Sequence, residues 1–444
     1  MRIHFDEAHR LFHLRTSEMS YAFGIAADGR LRHLYWGPSL SSDDSLLPLA
    51  ETMLAAYEPS KGVDARKDGV AELPTMEPSD YGDPVLWARH PDGTRGLRLL
   101  YDSHLIDGDH LTVVARDAAY AVTVELHYRG WADLPLLSKW LVIRNGEEGA
   151  LELEQMKSTA WQLPFGWDYR LTHLSGNWGC EYTKNQLMLT QARTVLQNNR
   201  ITCAAAQQIP FFALDQDGAA TETTGQVFFG VLHWSGNFDI TVERQFGKMV
   251  TVTGGVNSFD TKYLLKPGEC FETPQFTGGF SNRGFERMSE VFYDWQFDHL
   301  MPRGNKTDKA HAVRPVIYNS WYPYAFDVRE DNCLALIDKC APLGVELFVI
   351  DDGWMPKRTD DKAGLGDWFA DPERFPHGLQ AISKACHDKG MLFGLWVEPG
   401  QRPVSGAPRL GHSRPCPAPH PAATSAGAES GPGRDSGLGH CMAG

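Results

Sequence analysis

Two adjacent carboxylates follow an apolar run in the last third of the sequence. Asp351 and Asp352 come directly after VELFVI and are followed by Gly353 and Trp354. An almost wholly apolar run of this length indicates a strand that is buried in a parallel sheet, so the aspartates lie where that strand ends. Paired carboxylates there can accept hydrogen bonds from vicinal sugar hydroxyls or hold a divalent cation. Capping of a helix or a solvated loop end is the alternative interpretation.

Two tryptophans are also predicted at the ends of apolar strands. Trp321 follows RPVIYNS, and Trp396 lies within LFGLWVEP. A flat indole suits the apolar face of a pyranose ring, so both residues are candidates for a sugar site. Packing at the rim of a barrel explains them equally well on position alone.

Glu398 ends the third of these apolar segments. Together with Asp351 or Asp352 it could form the carboxylate pair of a glycosidase, with one group as acid and the other as nucleophile or base. A structural hydrogen bond is the alternative role for this side chain.

The segments that carry these residues alternate with predicted helices between about residues 311 and 400. Helical spacing of apolar residues occurs over Val328–Leu343 and over about Gly378–Lys389, and each helix stops before a glycine. Apolar strands that alternate with helices indicate parallel βαβ units. This region therefore predicts the first three strands of a (β/α)8 barrel, whose active site forms at the carboxyl ends of the strands.

Residues 1 to about 300 show a different pattern of short alternating segments separated by turn residues. LTVVARD, AVTVELHYRG and FDITVERQFG are examples. Strands of this length predict an antiparallel β-sandwich, here a large one or two stacked together. A helix is predicted over Phe285–His299, and it leads through a linker to about residue 310.

Composition excludes several classes of protein. The 42 basic residues are outnumbered by 56 acidic ones, and the net charge of −14 argues against nucleic acid or an anionic membrane as a partner. No apolar run is long enough to span a membrane, and the amino terminus lacks a signal sequence, so we expect a cytoplasmic protein. Eight cysteines without metal-binding spacing predict free buried thiols and no metal site.

Residues 401–444 do not resemble the rest of the chain. Of these 44 residues, 27 are Gly, Ala, Pro or Ser, and Phe, Tyr, Trp, Ile and Lys are all missing. Such a segment buries too little apolar surface to offset the entropy of ordering, so an aberrant, disordered tail is predicted.

Several motifs resemble glycoside hydrolase family 36, the bacterial α-galactosidases. The resemblance covers about residues 1–399 and is carried by these strings: HLYWG at 33–37, LSGNWGCEY at 174–182, YNSWYPYAFD at 318–327, LGVELFVIDDGW at 343–354, LGDWFADPERFPHGL at 365–379 and GMLFGLWVEP at 390–399. It implies an amino-terminal β-supersandwich followed by a (β/α)8 barrel. The implied activity is hydrolysis of terminal α-D-galactosides of the raffinose and melibiose type, with retention and without a cofactor.

The resemblance also implies roles for single residues. Asp351 and Asp352 match aspartates that bind the galactose hydroxyls, and Trp321 and Trp396 match tryptophans that line the sugar subsite. Trp178, which local sequence assigns to the sandwich core, matches a tryptophan that reaches a substrate pocket. Many members are homotetramers in which a sandwich contributes to a neighbouring site.

The chain departs from the family pattern at Gly400. The family's nucleophile is an aspartate in a Lys-Trp-Asp-like motif and its acid/base is a later aspartate, and neither motif occurs here. Residues 400–412 can be back-translated with codons that, read one base later, give a sequence like the family's continuation, so we interpret the tail as a frameshift or a sequencing error. We therefore expect no catalytic residue in this chain and no turnover.

Three alternatives stay open on the sequence. The first is an enzyme that is complete as written and uses Glu398 with Asp351 or Asp352. The second is a non-catalytic carbohydrate-binding protein built on the sandwich. The third is a related α-N-acetylgalactosaminidase or galactosyltransferase.

Overall fold

The computed structural model describes residues 1–55, 70–76, 82–177, 179–199, 208–301, 313–362, 364–366 and 368–398. These residues belong to two compact units, Met1–Met301 and a second unit within Pro302–His412. The expectations for Trp178 and for the tail at 401–444 lie outside the described residues.

The first unit is built from antiparallel strands. In chain order they are β1 (Arg2–Asp6), β2 (Leu11–Arg15), β3 (Met19–Ile25), β4 (Leu31–Pro38), β5 (Val70–Ala71), β6 (Leu86–Arg89), β7 (Leu99–Asp107), β8 (His110–Asp117), β9 (Val122–Trp131), β10 (Leu134–Asn145), β11 (Leu151–Gln162), β12 (Tyr169–Asn177), β13 (Cys180–Met188), β14 (Arg193–Asn198), β15 (Phe211–Gln216), β16 (Val227–Leu232), β17 (Phe238–Arg244), β18 (Val250–Val256), β19 (Tyr263–Leu265), β20 (Cys270–Glu272) and β21 (Phe276–Ser281).

These strands form three sheets. Five strands pair in the order β1-β2-β3-β4-β5. The largest sheet has the order β13-β12-β15-β16-β21-β10-β9-β8-β7, with β20 paired to β10. The third has the order β14-β17-β18-β11-β19, with β6 paired to β11. One continuous hydrophobic core draws side chains from all three sheets, which confirms the predicted sandwich.

Alternation of side chains explains how these sheets acquire a buried face. In β8, Val113 and Ala115 are buried and lie opposite Leu126 and Val124 of β9. Successive side chains of a strand point to opposite faces, so a slip of one residue would turn this apolar set outwards. The alternation of apolar residues therefore determines both where a strand forms and the register in which it pairs.

A buried ion pair lies inside the sandwich core. The Nζ atom of Lys139 lies 2.6 Å from Oε1 of Glu72 and donates to the hydroxyl of Tyr21 at 2.7 Å. The hydroxyl of Tyr128 donates to the same Glu72 oxygen at 3.0 Å. Burial alone would raise the pKa of Glu72, but the charge of Lys139 and hydrogen bonds to the carboxylate lower it to about 2. The carboxylate of Glu72 is therefore ionised, and the hydrogen bonds to it offset part of the cost of removing the pair from water.

The described residues of the first unit contain few helices. They are α1 (Leu47–Met53) and α2 (Gly284–Trp295), with short 3-10 turns at Asp43–Leu46 and Phe246–Lys248 and a π turn at Gln296–Leu300 that follows α2. The predicted helix at Phe285–His299 is confirmed. Val291 and Trp295 of α2 are buried against Trp131, Leu136 and Phe229 of the largest sheet.

The cysteines agree with the prediction only in part. Cys333, Cys340 and Cys386 are free and buried, and Cys180 is free but exposed. Cys270 is disulfide-bonded, so the prediction of a free thiol is wrong there. Cysteine spacing alone carries no information on which thiols a sandwich brings together. Among the described residues, no helix is long and apolar enough to cross a membrane.

The second unit contains the predicted parallel strands. They are β22 (Ile317–Asn319), β23 (Leu347–Ile350) and β24 (Leu392–Leu395), which pair in that order and in parallel. The helices are α3 (Trp321–Tyr324), α4 (Glu330–Cys340) with a 3-10 turn at Ala341–Leu343, and α5 (Gly378–Asp388). Phe348 and Ile350 of β23 pack in one core with Ile337 of α4 and Ile382 of α5. This arrangement confirms the prediction of a partial barrel region.

Candidate active site

The parallel register of the second unit brings three strand ends to one edge of the sheet. Asn319 lies opposite Val349 in the pairing of β22 with β23, and Ile350 lies opposite Leu395 in the pairing of β23 with β24. The backbone N–H of Trp396 continues the ladder by donating to the carbonyl of Ile350 at 2.8 Å. The segments that follow the three strands therefore lie side by side.

Asp351 is held at this edge by the end of β22. Its Oδ2 accepts a hydrogen bond from Nδ2 of Asn319 at 2.6 Å, and its own N–H donates to Oγ of Ser320 at 2.9 Å. Its Oδ1 accepts from the N–H of Asp352 at 2.7 Å. A carboxylate oxygen can accept two hydrogen bonds, so these contacts occupy one position on each oxygen. The side chain is only partly buried and can accept further bonds from a ligand.

Asp352 has a different environment although it is the next residue. It is 6% exposed, and Nε and Nη2 of Arg358 donate to its Oδ1 and Oδ2 at 2.8 and 2.6 Å. Its Oδ1 also accepts from the N–H of Gly353 at 2.7 Å. Three donors therefore hold this carboxylate, and one acceptor position stays on Oδ2 among these contacts.

The turn after the aspartates depends on a glycine and on an arginine. Gly353 has a φ of +97°, and a Cβ there would lie 2.7 Å from the carbonyl oxygen of Phe326. Nη1 of Arg374 donates to that carbonyl oxygen at 2.6 Å and to the carbonyl oxygen of Gly353 at 2.5 Å. The same guanidinium thus joins the loop after β22 to the turn after β23. These two segments lie so close together that a side chain at residue 353 does not fit between them.

The predicted aromatic residues lie at the same strand ends. Trp321 begins α3, is partly buried and contacts Phe326 edge to face at a centroid distance of 5.1 Å. Trp396 is also partly buried, and its carbonyl accepts from Nε1 of the buried Trp354 at 3.0 Å. The topology therefore brings four of the five sequence-predicted residues together, Asp351, Asp352, Trp321 and Trp396.

Glu398, the candidate partner carboxylate, also follows β24. The hydrogen bond to Asp352 and the charges of Asp352, Asp361 and Glu398 raise the pKa of Arg358 above its ordinary value. Glu398 therefore lies within electrostatic reach of Arg358. Within the described ranges, no group of three or more His, Cys, Asp and Glu side chains could hold a metal ion.

Three residues that hold this site had no role assigned to them from the sequence. Asn319 and Ser320 bind Asp351, and Arg358 binds Asp352. Asn319 and Ser320 lie in a motif that was recognised, directly before Trp321, and polar side chains at a strand end were the available signal. Arg358 had no such signal, because five residues of irregular loop lie between it and its partner.

Comparison with known proteins found two family models that match this chain. The family model "Glycosyl hydrolase family 36 N-terminal domain" matches residues 29–266, and the model "Melibiase" matches residues 270–412, beyond the end of the recognised motifs. α-Galactosidase Mel36A of Lactobacillus acidophilus is 30% identical over 423 residues, which cover 89% of this chain and 56% of that protein.

Solved structures give the same result. The α-galactosidase AgaB of Geobacillus stearothermophilus has a TM-score of 0.80 at 28% identity, covering 90% of this chain and 57% of that one. Variants of AgaA from the same species, with a TM-score of 0.79 at 28% identity over 88% of this chain and 56% of theirs, were solved with raffinose and with 1-deoxygalactonojirimycin. The chain spans little more than half the length of these relatives. It belongs to glycosyl hydrolase family 36.

Proposed function

We propose that this chain binds the galactose unit of α-galactosides at the carboxyl ends of β22, β23 and β24. The observation that carries the proposal is the partly exposed carboxylate of Asp351, on which each oxygen holds one protein hydrogen bond and keeps a second position. Two acceptor positions on one rigid carboxylate suit adjacent hydroxyl groups of a sugar, and Asp352 adds a third.

The aromatic residues complete the proposed subsite. Trp321 and Trp396 follow the two outer strands on either side of Asp351, so their rings can border a pyranose that is bound to the carboxylate. Trp178 is proposed, from the family resemblance alone, to reach a substrate pocket. Relatives crystallised with raffinose and with 1-deoxygalactonojirimycin support galactosides as the class of ligand.

Hydrolysis is proposed for a longer protein and not for these 444 residues. In such a protein an aspartate would attack the anomeric carbon and form a covalent galactosyl-enzyme, and a second aspartate would protonate the leaving oxygen, giving retention. Neither family motif for these aspartates is present in this sequence. For that longer protein we further propose a cytoplasmic homotetramer that acts on raffinose- or melibiose-type sugars without a cofactor and without nucleic acid or membrane as a partner.

The test is the epimer preference of the bound sugar. Calorimetric titration of the 444-residue chain with 1-deoxygalactonojirimycin should give saturable binding. The gluco epimer 1-deoxynojirimycin should bind about tenfold more weakly, since a change at one hydroxyl breaks a hydrogen bond to a charged acceptor. Equal affinity for both epimers, or binding of neither, would contradict the proposal.

A further inference from the structure

Arg358 is a buried cation at the proposed sugar site to which sequence motifs assign no role. Arg358 is 4% exposed, and its guanidinium donates hydrogen bonds to both oxygens of Asp352 at 2.8 and 2.6 Å. The guanidinium carbon also lies 5.2 Å from the centroid of the Phe326 ring. The group is thus held on one side by a carboxylate and on another by an aromatic ring.

We propose that Arg358 is the positioning residue of the sugar site: it holds Asp352 in the one orientation that presents a free Oδ2 acceptor position to a sugar hydroxyl. This inference rests on the galactoside-binding function proposed above. It assigns to Arg358 an action through Asp352 and not a contact with the sugar.

The geometry of the pair supports a role that depends on arginine. A planar guanidinium donates two parallel hydrogen bonds to a carboxylate and thereby sets the carboxylate plane, whereas an ammonium group attracts it as a point charge. Gly353 donates to Oδ1 as well, so both bonds on that oxygen are taken by protein and the open position lies on Oδ2. Rotation of the carboxylate would break all three bonds at once.

Electrostatics explain why a cation is needed at this place. Asp351, Asp352 and Glu398 follow neighbouring strands, and like charges that lie close together disfavour one another's ionised form. The charges of Asp352, Asp361 and Glu398 all act on Arg358. Breaking a buried pair from one side leaves an uncompensated charge, so Asp352 without Arg358 would reorient towards water.

The test separates geometry from charge. Arg358→Lys keeps the positive charge but loses the two parallel hydrogen bonds, and Arg358→Met loses both the charge and the hydrogen bonds. Lys357→Met is the matched control, because Lys357 is the exposed neighbour and its removal changes the net charge equally. We expect the dissociation constant for 1-deoxygalactonojirimycin to rise about tenfold or more in both Arg358 variants and to stay unchanged in Lys357→Met.

A double variant tests whether Arg358 acts through Asp352. Asp352→Asn with Arg358→Met removes both charges and leaves neither one buried without a partner, so we expect it to fold even where a single variant does not. We expect it to bind as weakly as Asp352→Asn alone, because the two residues act as one unit. Additive losses from the two substitutions would instead show a general structural effect and would overturn the inference.

The remaining outcomes are distinct. If the unaltered chain does not bind 1-deoxygalactonojirimycin, the proposed function fails. If it binds and Arg358→Lys binds equally well with an unchanged melting temperature, the positioning role of Arg358 alone is wrong.

Discussion

At the scale of single residues, two neighbouring aspartates have unlike environments. Asp351 receives one hydrogen bond on each oxygen and is partly exposed, whereas Asp352 is buried against Arg358. This difference predicts that Asp351 presents more acceptor positions to a ligand than Asp352 does. It arises because β23 ends between β22 and the following loop, so consecutive side chains meet different neighbours.

Gly353→Ala should disturb the site through sterics as well as backbone strain. Its φ of +97° disfavours a side chain, and the added Cβ would press on the backbone of Phe326. Gly390→Ala is the control, since Gly390 has a φ of +76° with open space around its Cβ position. We expect both variants to lose about 1–3 kcal/mol of unfolding free energy, with the larger loss in Gly353→Ala. Equal losses in chemical denaturation would contradict the steric argument.

Part of this site was predictable from the sequence. Asp351 and Trp396 follow apolar runs that read directly as buried parallel strands, and the edge of such a sheet brings them together. The ion pair with Arg358 was not predictable, because the path of an irregular loop depends on contacts such as those of Arg374 with two distant carbonyls. Local sequence patterns therefore predicted where the acceptor carboxylates lie but not which groups orient them.

At the scale of elements, the sheet of three parallel strands ends on each side in a strand that has one unpaired edge in the described part of the chain. Among the described residues, β22 and β24 each pair on one side only. Ile317 of β22 and Leu392 of β24 are both 57% exposed. Unpaired edges with exposed apolar side chains favour association between chains.

We expect this association to depend on concentration and on those two side chains. Light scattering of the 444-residue chain should show growth in mass with concentration, and Ile317→Lys with Leu392→Lys should reduce it, because charges on edge strands oppose pairing. Leu264→Lys is the control, as Leu264 is 61% exposed in the first unit. An equal reduction by the control variant would count against an edge-specific contact.

The buried pair of Lys139 and Glu72 gives a prediction for the sandwich. Lys139→Met leaves Glu72 as an uncompensated buried charge and should cost about 3–5 kcal/mol of unfolding free energy. Adding Glu72→Gln should restore most of that loss, because the charge is then removed. Denaturant unfolding measures both, and no recovery in the double variant would contradict the assignment.

The same pair predicts how the stability of the first unit depends on pH. The pKa of Glu72 is lowered from 4.5 to about 2, so the folded state favours the ionised form. Its stabilising contribution is complete above pH 4.5 and is lost as pH falls from there towards 2. The melting temperature of the unaltered chain should fall over this window. The fall should be shallower with Lys139→Met and Glu72→Gln together, and equally steep curves would contradict the linkage.

The positions of the strands were more predictable from the sequence than the pairing between them. Alternation identified β8 and β9, which are neighbours in sequence and in the sheet. It could not show that β11 pairs with both β6 and β18, since such pairing depends on contacts distant in sequence. The sandwich class was therefore predictable, whereas the sheet order was not.

At the scale of the whole molecule, the chain combines a sandwich unit with the first strands of a barrel. Its share of the relatives' length is about 56%, and the family motifs for the catalytic aspartates are not among its residues. We therefore expect this polypeptide to bind the sugar without catalysing its hydrolysis. The proposed sugar acceptors lie within the described second unit, and we expect the reacting groups to belong to a longer protein.

The 444-residue chain should not hydrolyse p-nitrophenyl α-galactoside. No carboxylate of the sequence lies in either family motif that attacks or protonates the glycosidic bond. Release of p-nitrophenol by purified chain, absent in Asp351→Ala and in Glu398→Gln, would contradict this expectation and would favour an enzyme that is complete as written.

The measurement that tests the account most directly is a calorimetric titration of Asp351→Asn with 1-deoxygalactonojirimycin. Glu373→Gln, which removes an exposed carboxylate from the loop before α5, is the control. We expect the dissociation constant to rise about tenfold or more for Asp351→Asn and to stay unchanged for Glu373→Gln, since Asp351, unlike Glu373, offers charged acceptors to the sugar. Unchanged binding by Asp351→Asn in a chain that is folded would show that the sugar binds elsewhere.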